Sequence, residues 1–315
     1  MKIRPNRLVL GTGFAAILLV VRFGSAAVAP VAGPPSSIVL PTTLVAEAPA
    51  TLAVLDAGGR LVAGAVVALS DGHVVKTDAT GRARLVVPAT LGEFEARIQG
   101  HSIVATAPIV AGLSPETVQT DAAQATSSAG ASPTTSAASE IQLTDFPEVV
   151  DARDRFAISG TWFLGDADEN SVSLGGKSAL VLAASPSALV LLPSPDTPLG
   201  AQQLRIQSNG HASEAVTVTV VELDAIQPAG ALRVGQQAIL TVRVRGTAQP
   251  LDVELGNWSP ATIKLVGQPS GGATSGAEVQ RVRTSGGEQN EAQVAIVPLS
   301  QGKFYVHARL ARPRQ

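Results

Sequence analysis

The 315-residue chain contains no cysteine. That excludes disulfide staples, thiolate nucleophiles, thiolate metal sites and a lipidated N-terminal cysteine, so each folded unit must be held by its own apolar core. Aromatic residues are scarce at 3 % and charged residues make up only 15 %. Such a composition favours small cores of Val, Leu, Ile and Ala over one large aromatic core. The formal net charge is −2, which leaves no basic footprint for nucleic acid or an anionic membrane surface. No Gly-x-Ser-x-Gly elbow and no His-Glu-x-x-His pair occurs, so a serine hydrolase or zinc protease lacks its starting point.

The longest apolar run is also short. Residues 8–21 are apolar over 14 positions behind Lys2, Arg4 and Arg7, and Arg22 ends the run. A spanning helix needs roughly 20 such residues. With small residues following at 24–29, the stretch reads as a secretory signal helix. Ala27-x-Ala29 supplies a cleavage site after residue 29, Gly24-x-Ala26 competes with it, and a retained anchor is the alternative. The chain is therefore expected to be exported, to the periplasm or the cell exterior, with no membrane span once the signal is removed.

What is abundant is turn residues, 30 Gly and 21 Pro, placed between short β-type runs. Residues 30–40 are Pro-, Ala- and Ser-rich and are expected to be disordered. A first module is assigned to 41–111. It has an Asp71-Gly72 hairpin signal, and Phe94, Ala96 and Ile98 alternate with charged neighbours. Residues 112–140 are dominated by Thr, Ser, Ala, Gln and Pro and read as a flexible linker, with a glycosylated stalk as the alternative. A second module spans 141–223 and a third 224–315. In the third, Leu240, Val242 and Val244, then Val253 and Leu255, then Phe304, Val306, Ala308 and Leu310 alternate with polar residues that include Tyr305, His307 and Arg309. The expected fold is all-β, three sandwiches in a row.

The second module carries Ile158-x-Gly160, Asn170-x-Val172-x-Leu174-Gly175-Gly176, Ala184-Ser185-Pro186, Pro198-Leu199-Gly200 and a closing Val/Thr strand. In this order the motifs resemble the IPT/TIG family of immunoglobulin-like domains. In the first module, the spacing of Val, Asp and Gly over 54–66, then Thr77-Asp78-Ala79-x-Gly81, resembles two groups: bacterial Ig-like repeats of the invasin type and carboxypeptidase-regulatory-like domains. These resemblances imply non-catalytic binding modules.

The chemistry-bearing motifs are weak. Gly175-Gly176-Lys177-Ser178 lacks the earlier Gly of a phosphate loop, because Ser171 stands there. Asp166-Ala167-Asp168-Glu169-Asn170 begins like a calcium loop but has Ser171 for the sixth-position Gly and Lys177 for the twelfth-position Glu. His73, His101, His211 and His307 do not cluster in sequence. Asn257-Trp258-Ser259 is a formal glycosylation sequon. Asp252 and Glu254 belong on an exposed strand face. The IPT/TIG resemblance implies that Trp162 packs in the core, whereas Trp258, near Pro260 and outside clean alternation, is the candidate surface ligand contact. No catalytic residue, cofactor or metal ligand is assigned.

The expected function is that of an envelope or extracellular adhesion and scaffold protein. The alternative is a carbohydrate-binding accessory protein of a secreted polysaccharide-processing system. The partner is accordingly a protein or polysaccharide of the cell envelope. Exposed aromatics on one sandwich face would favour sugar; polar loops with a bare edge strand would favour protein.

Overall fold

A computed structural model describes residues 32–112, 141–226, 228, 232–266 and 278–311. The expected signal helix, and the expected linker apart from residue 112, fall outside these residues. Within them the all-β expectation holds: every regular element is a strand except one 3-10 turn, Ala167–Glu169.

Three separate apolar cores lie along the chain, each filled from two sheets. The first is shared by Pro35–Val39, Pro49–Asp56 and Arg82–Val86 on one side. On the other is a five-stranded sheet of Leu44–Val45, Val104–Val110, Gly92–Ile98, Val66–Leu69 and Val74–Lys76. Phe94, Ala96 and Ile98, two residues apart, all point into this core, as their alternation requires. Strand Pro35–Val39 corrects the expected disorder over 30–40. Its Ile38 reaches the first core, and residues 37–39 pair antiparallel with 53–55. The composition of that segment hid two buried side chains, Ile38 and Val39, behind five prolines and serines.

The second core lies between Phe156–Gly160 and Ala188–Leu192 on one sheet and Asn170–Leu174, Gly200–Ser208 and Val216–Ile226 on the other. Strand Lys177–Ser185 joins both sheets, changing register between Val181 and Ala183. The third core has Ala238–Arg245, Glu291–Pro298 and Ile263–Val266 on one face. Opposite lies a three-stranded sheet in the order Glu278–Arg283, Asp252–Asn257, Val306–Leu310.

The three cores are joined in two different ways. Between the first and second is a fourth apolar cluster, in which Val39, Ala53 and Leu55 meet Leu182, Ala183 and Val190. Strand Pro49–Asp56 is consequently buried on both faces, with Leu52 and Val54 toward its own core and Ala53 and Leu55 toward the neighbour. A bridge between Thr51 and Ala184 joins the sheets edge to edge. The Thr51 hydroxyl donates to the Gly165 carbonyl at 2.7 Å and accepts from the Ala167 N–H at 3.2 Å. Ser185 donates to the Thr43 carbonyl at 2.7 Å. Gly165 approaches so closely that a Cβ there would lie 1.9 Å from the Pro49 carbonyl oxygen.

Among the described residues there is no seam of this kind between the second and third cores. One strand, Val216–Ile226, serves both: residues 216–220 pair with Gly200–Ser208, and residues 222–226 pair with Ala238–Arg245. The module boundary expected between Leu223 and Asp224 therefore falls inside a continuous strand, whose alternation changes phase at the handover: Val218 and Val220 face the second core, Val221 and Leu223 the third. Gly246 sits against it at φ +97°, where a Cβ would meet the Val220 carbonyl at 2.4 Å.

Candidate functional site

Ladder register places a row of side chains on the outer face of the three-stranded sheet. Val253 and Leu255 point into the third core, so Asp252, Glu254 and Gly256 point out. Opposite Glu254 stand Arg281 on one side and Arg309 on the other; opposite Gly256 stand Val279 and His307. The ladder extends one step past the strands, where the Trp258 N–H donates to the Tyr305 carbonyl at 3.0 Å. Trp258 is 70 % exposed and Tyr305 65 %. Phe304 and Val306, on either side of Tyr305, pack into the core, which turns the tyrosine outward.

Gly256 matters here because of what lies over it. A Cβ at this position would come within 3.3 Å of the Trp258 Nε1, so the indole folds back across the glycine and lies along the sheet. The outer face thus carries an aromatic patch of Trp258 and Tyr305 beside a charged row. In that row Glu254 receives Arg281 at 2.9 Å and Arg309 at 2.9 Å, one on each carboxylate oxygen. Burial works against the charge on Glu254, but the hydrogen bonds from Arg281 and Arg309 outweigh it and hold the carboxyl below the usual range.

The other motifs resolve into structure. Gly175 and Gly176, at φ +61° and +75°, form the two-residue turn between Asn170–Leu174 and Lys177–Ser185. The phosphate-loop resemblance is a hairpin. The calcium-like acidic run forms the 3-10 turn at the seam between the first two cores, where Asp166 pairs with Arg84 and Asp168 with Arg82. Two of its three acidic charges, those of Asp166 and Asp168, are matched by arginines from a distant strand. Among the described residues no group of three or more His, Asp or Glu is placed to hold a metal ion. The sequon residue Asn257 is buried, its Nδ2 donating to the Ile263 carbonyl and its Oδ1 accepting from the Ser259 N–H.

Trp162 departs from expectation. It is 54 % exposed at φ +68°, with its ring 6.5 Å from that of His211. Its neighbour Phe163 takes the core position beneath Gly160, and the chain must kink at Trp162 to insert it. His73 contacts Asp71, His101 is exposed, and the histidines remain apart.

One further ionisable group stands out at the junction of the second and third cores. Asp151 is buried, and its carboxyl is raised to about 6, chiefly by burial, with the charges of Asp154 and Glu222 adding to the effect. Beside it Arg153 and Arg245 each bridge Glu222 and Asp224.

Among the described residues no helix is long and apolar enough to cross a membrane. No protein-family model matches the chain, and no curated protein matches it. Several solved structures overlap it weakly. SGBP-B of a mixed-linkage glucan utilization locus of Bacteroides ovatus, in complex with a mixed-linkage heptasaccharide, is 11 % identical. The match covers 82 % of this chain and 70 % of that one, at TM-score 0.29. The Plexin A4 extracellular region is 13 % identical over 88 % of this chain and 22 % of its own, at TM-score 0.30. Surface layer protein SbsC, domains 1–6, is 12 % identical over 90 % and 39 %, at TM-score 0.19. What these proteins have in common with the chain is a β-rich architecture.

Proposed function

We propose that this chain is an exported, non-catalytic array of three immunoglobulin-like sandwiches, the middle one of IPT/TIG type, whose third module binds polysaccharide. The observation that carries the reading is the side-by-side exposure of Trp258 and Tyr305 on one sheet face, in a chain that has two Trp and a single Tyr. Aromatic planes stack on the apolar faces of sugar rings, and leaving two of them in water is costly without such a use. Co-sedimentation of the exported protein with insoluble polysaccharides and with cell-wall sacculi tests it. Saturable binding to a polysaccharide that drops about tenfold in Trp258→Ala supports the reading. Absence of binding to any glycan refutes it.

A second reading, as an adhesion or scaffold protein with a protein partner, is favoured by a different observation. The buried seam and the shared strand hold the three cores as one piece, suited to setting distances between partners. The two readings are compatible if the first two modules present the third.

A further inference from the structure

The same face shows which class of glycan it suits, and this inference rests on the polysaccharide-binding reading above. Among the described side chains, the charged ones on the outer side of the three-stranded sheet are Arg281, Arg283 and Arg309 against Asp252 and Glu254. That is an excess of one positive charge, on a chain whose formal net charge is −2. The excess is local to the aromatic patch. Glu254 lies between two arginines, in the ladder row next but one to Trp258 and Tyr305, only about 14 Å along the strands. Its carboxylate is satisfied on both oxygens and its side chain is only 13 % exposed, whereas Arg309, whose Nε and Nη2 both reach Glu254 Oε2, keeps 46 % of its side chain exposed.

We propose that this face binds an acidic polysaccharide, one whose sugar rings carry uronate carboxylates. Trp258 and Tyr305 take the apolar faces of the rings, and Arg309 takes a carboxylate. A guanidinium suits this role because it has five donors, so the two nitrogens held by Glu254 leave the Nη1 side for a ligand carboxylate. Glu254 then acts as a positioning residue that holds Arg309 and Arg281 splayed across the sheet. His307, between the aromatic patch and Arg309 on the same strand, lies along the path the chain would follow.

The test is a titration of the full exported chain with three soluble polymers: polygalacturonate, its methyl ester, and dextran sulfate. The ester keeps the ring and removes the charge; the sulfate keeps a polyanion and changes the ring. Polygalacturonate is expected to bind most tightly, with affinity falling as salt is raised from 0.05 to about 0.5 M. Arg309→Gln is expected to weaken it about fivefold while leaving the ester unchanged. Trp258→Ala is expected to weaken both galacturonans about tenfold. Melting curves of the variants verify that each is folded.

Equal binding of acid and ester, unaffected by Arg309→Gln, overturns this proposal and leaves the polysaccharide reading standing. Dextran sulfate bound as tightly as polygalacturonate, with no effect of Trp258→Ala, also overturns it, because charge alone would then account for binding. Binding to sacculi in place of polygalacturonate overturns the uronate assignment, and binding to no glycan removes both.

Discussion

Both joints in this molecule carry arginine–carboxylate pairs, but the first adds an apolar seam between strands distant in sequence, whereas the second is one continuous strand. Between the first and second cores, surfaces distant in sequence are pressed together by Ala53, Leu55, Leu182 and Val190, with Gly165 permitting backbone contact and Thr51 serving both sides. Between the second and third, one strand runs through and the surrounding contacts are ionic, around Asp151, Arg153, Glu222, Asp224 and Arg245. An apolar seam depends on shape and can be broken by a single methyl group. A shared strand is covalent, and its charged surroundings adjust its stability to solution conditions.

The largest expected effect is therefore at the seam. Gly165→Ala forces a methyl into the Pro49 carbonyl and should cost about 3 kcal/mol. Calorimetry should then show the first module melting apart from the other two. A single unshifted transition would show that the modules do not depend on this contact.

The next effect is an asymmetry within one ion pair. Arg82 is buried while Asp168 is mostly exposed. Asp168→Asn removes the ion-pair partner of a buried guanidinium, leaving it the weaker charge interaction with Asp78, and should cost about 2 kcal/mol. Arg82→Met leaves only an exposed carboxylate and should cost about half that. Equal losses would mean that Arg82 is better hydrated than its burial implies.

The third prediction concerns pH and belongs to the other joint. Asp151 has a folded-state value of about 6, above its ordinary 3.8, so the native state takes up a proton that the unfolded chain releases. Its contribution to stability is full below about pH 3.8 and is lost as pH rises through about 6. Asp151→Asn should consequently raise Tm at pH 8, do little at pH 4, and flatten the stability profile between them. Asp78 and Glu254, held below their ordinary values, act in the opposite sense, with stability lost on acidification, and are unaffected by this change. The smallest effect is expected for Arg245→Ala. Its guanidinium is half exposed and Arg153 remains to bridge the same carboxylates, so about 0.5 kcal/mol should be lost. A larger loss there would make the junction resemble the seam.

Local patterns were legible in the sequence where a strand has one wet face. The alternation of Phe94, Ala96 and Ile98, and of Val306 and Ala308 with His307 and Arg309, identified strands and their inward sides. Alternation also put Tyr305 on the solvent side. What it could not show was that Tyr305 stands beside Trp258, since that neighbourhood is set by the pairing of strands about fifty positions apart. The seam was hidden for a related reason. The apolar run of residues 50–55, interrupted only by Thr51, marks burial on both faces, but only the tertiary pairing shows which second face covers it. The acidic run at 166–169 resembled a cation loop because its actual partners, Arg82 and Arg84, lie more than eighty residues earlier. Trp162 was misplaced because its expected core position followed from the IPT/TIG resemblance, whereas the chain kinks there and Phe163, one residue on, is the side chain that is buried.

The central claim is that Trp258 meets the sugar, and the chain's two tryptophans allow a direct measurement. Trp162→Phe leaves Trp258 as the sole indole reporter. Titrating this variant with polygalacturonate should move the emission to shorter wavelength as the exposed indole leaves water, saturating together with the binding measured by co-sedimentation. An emission spectrum that stays unchanged while the polymer binds would place the site elsewhere and contradict the account.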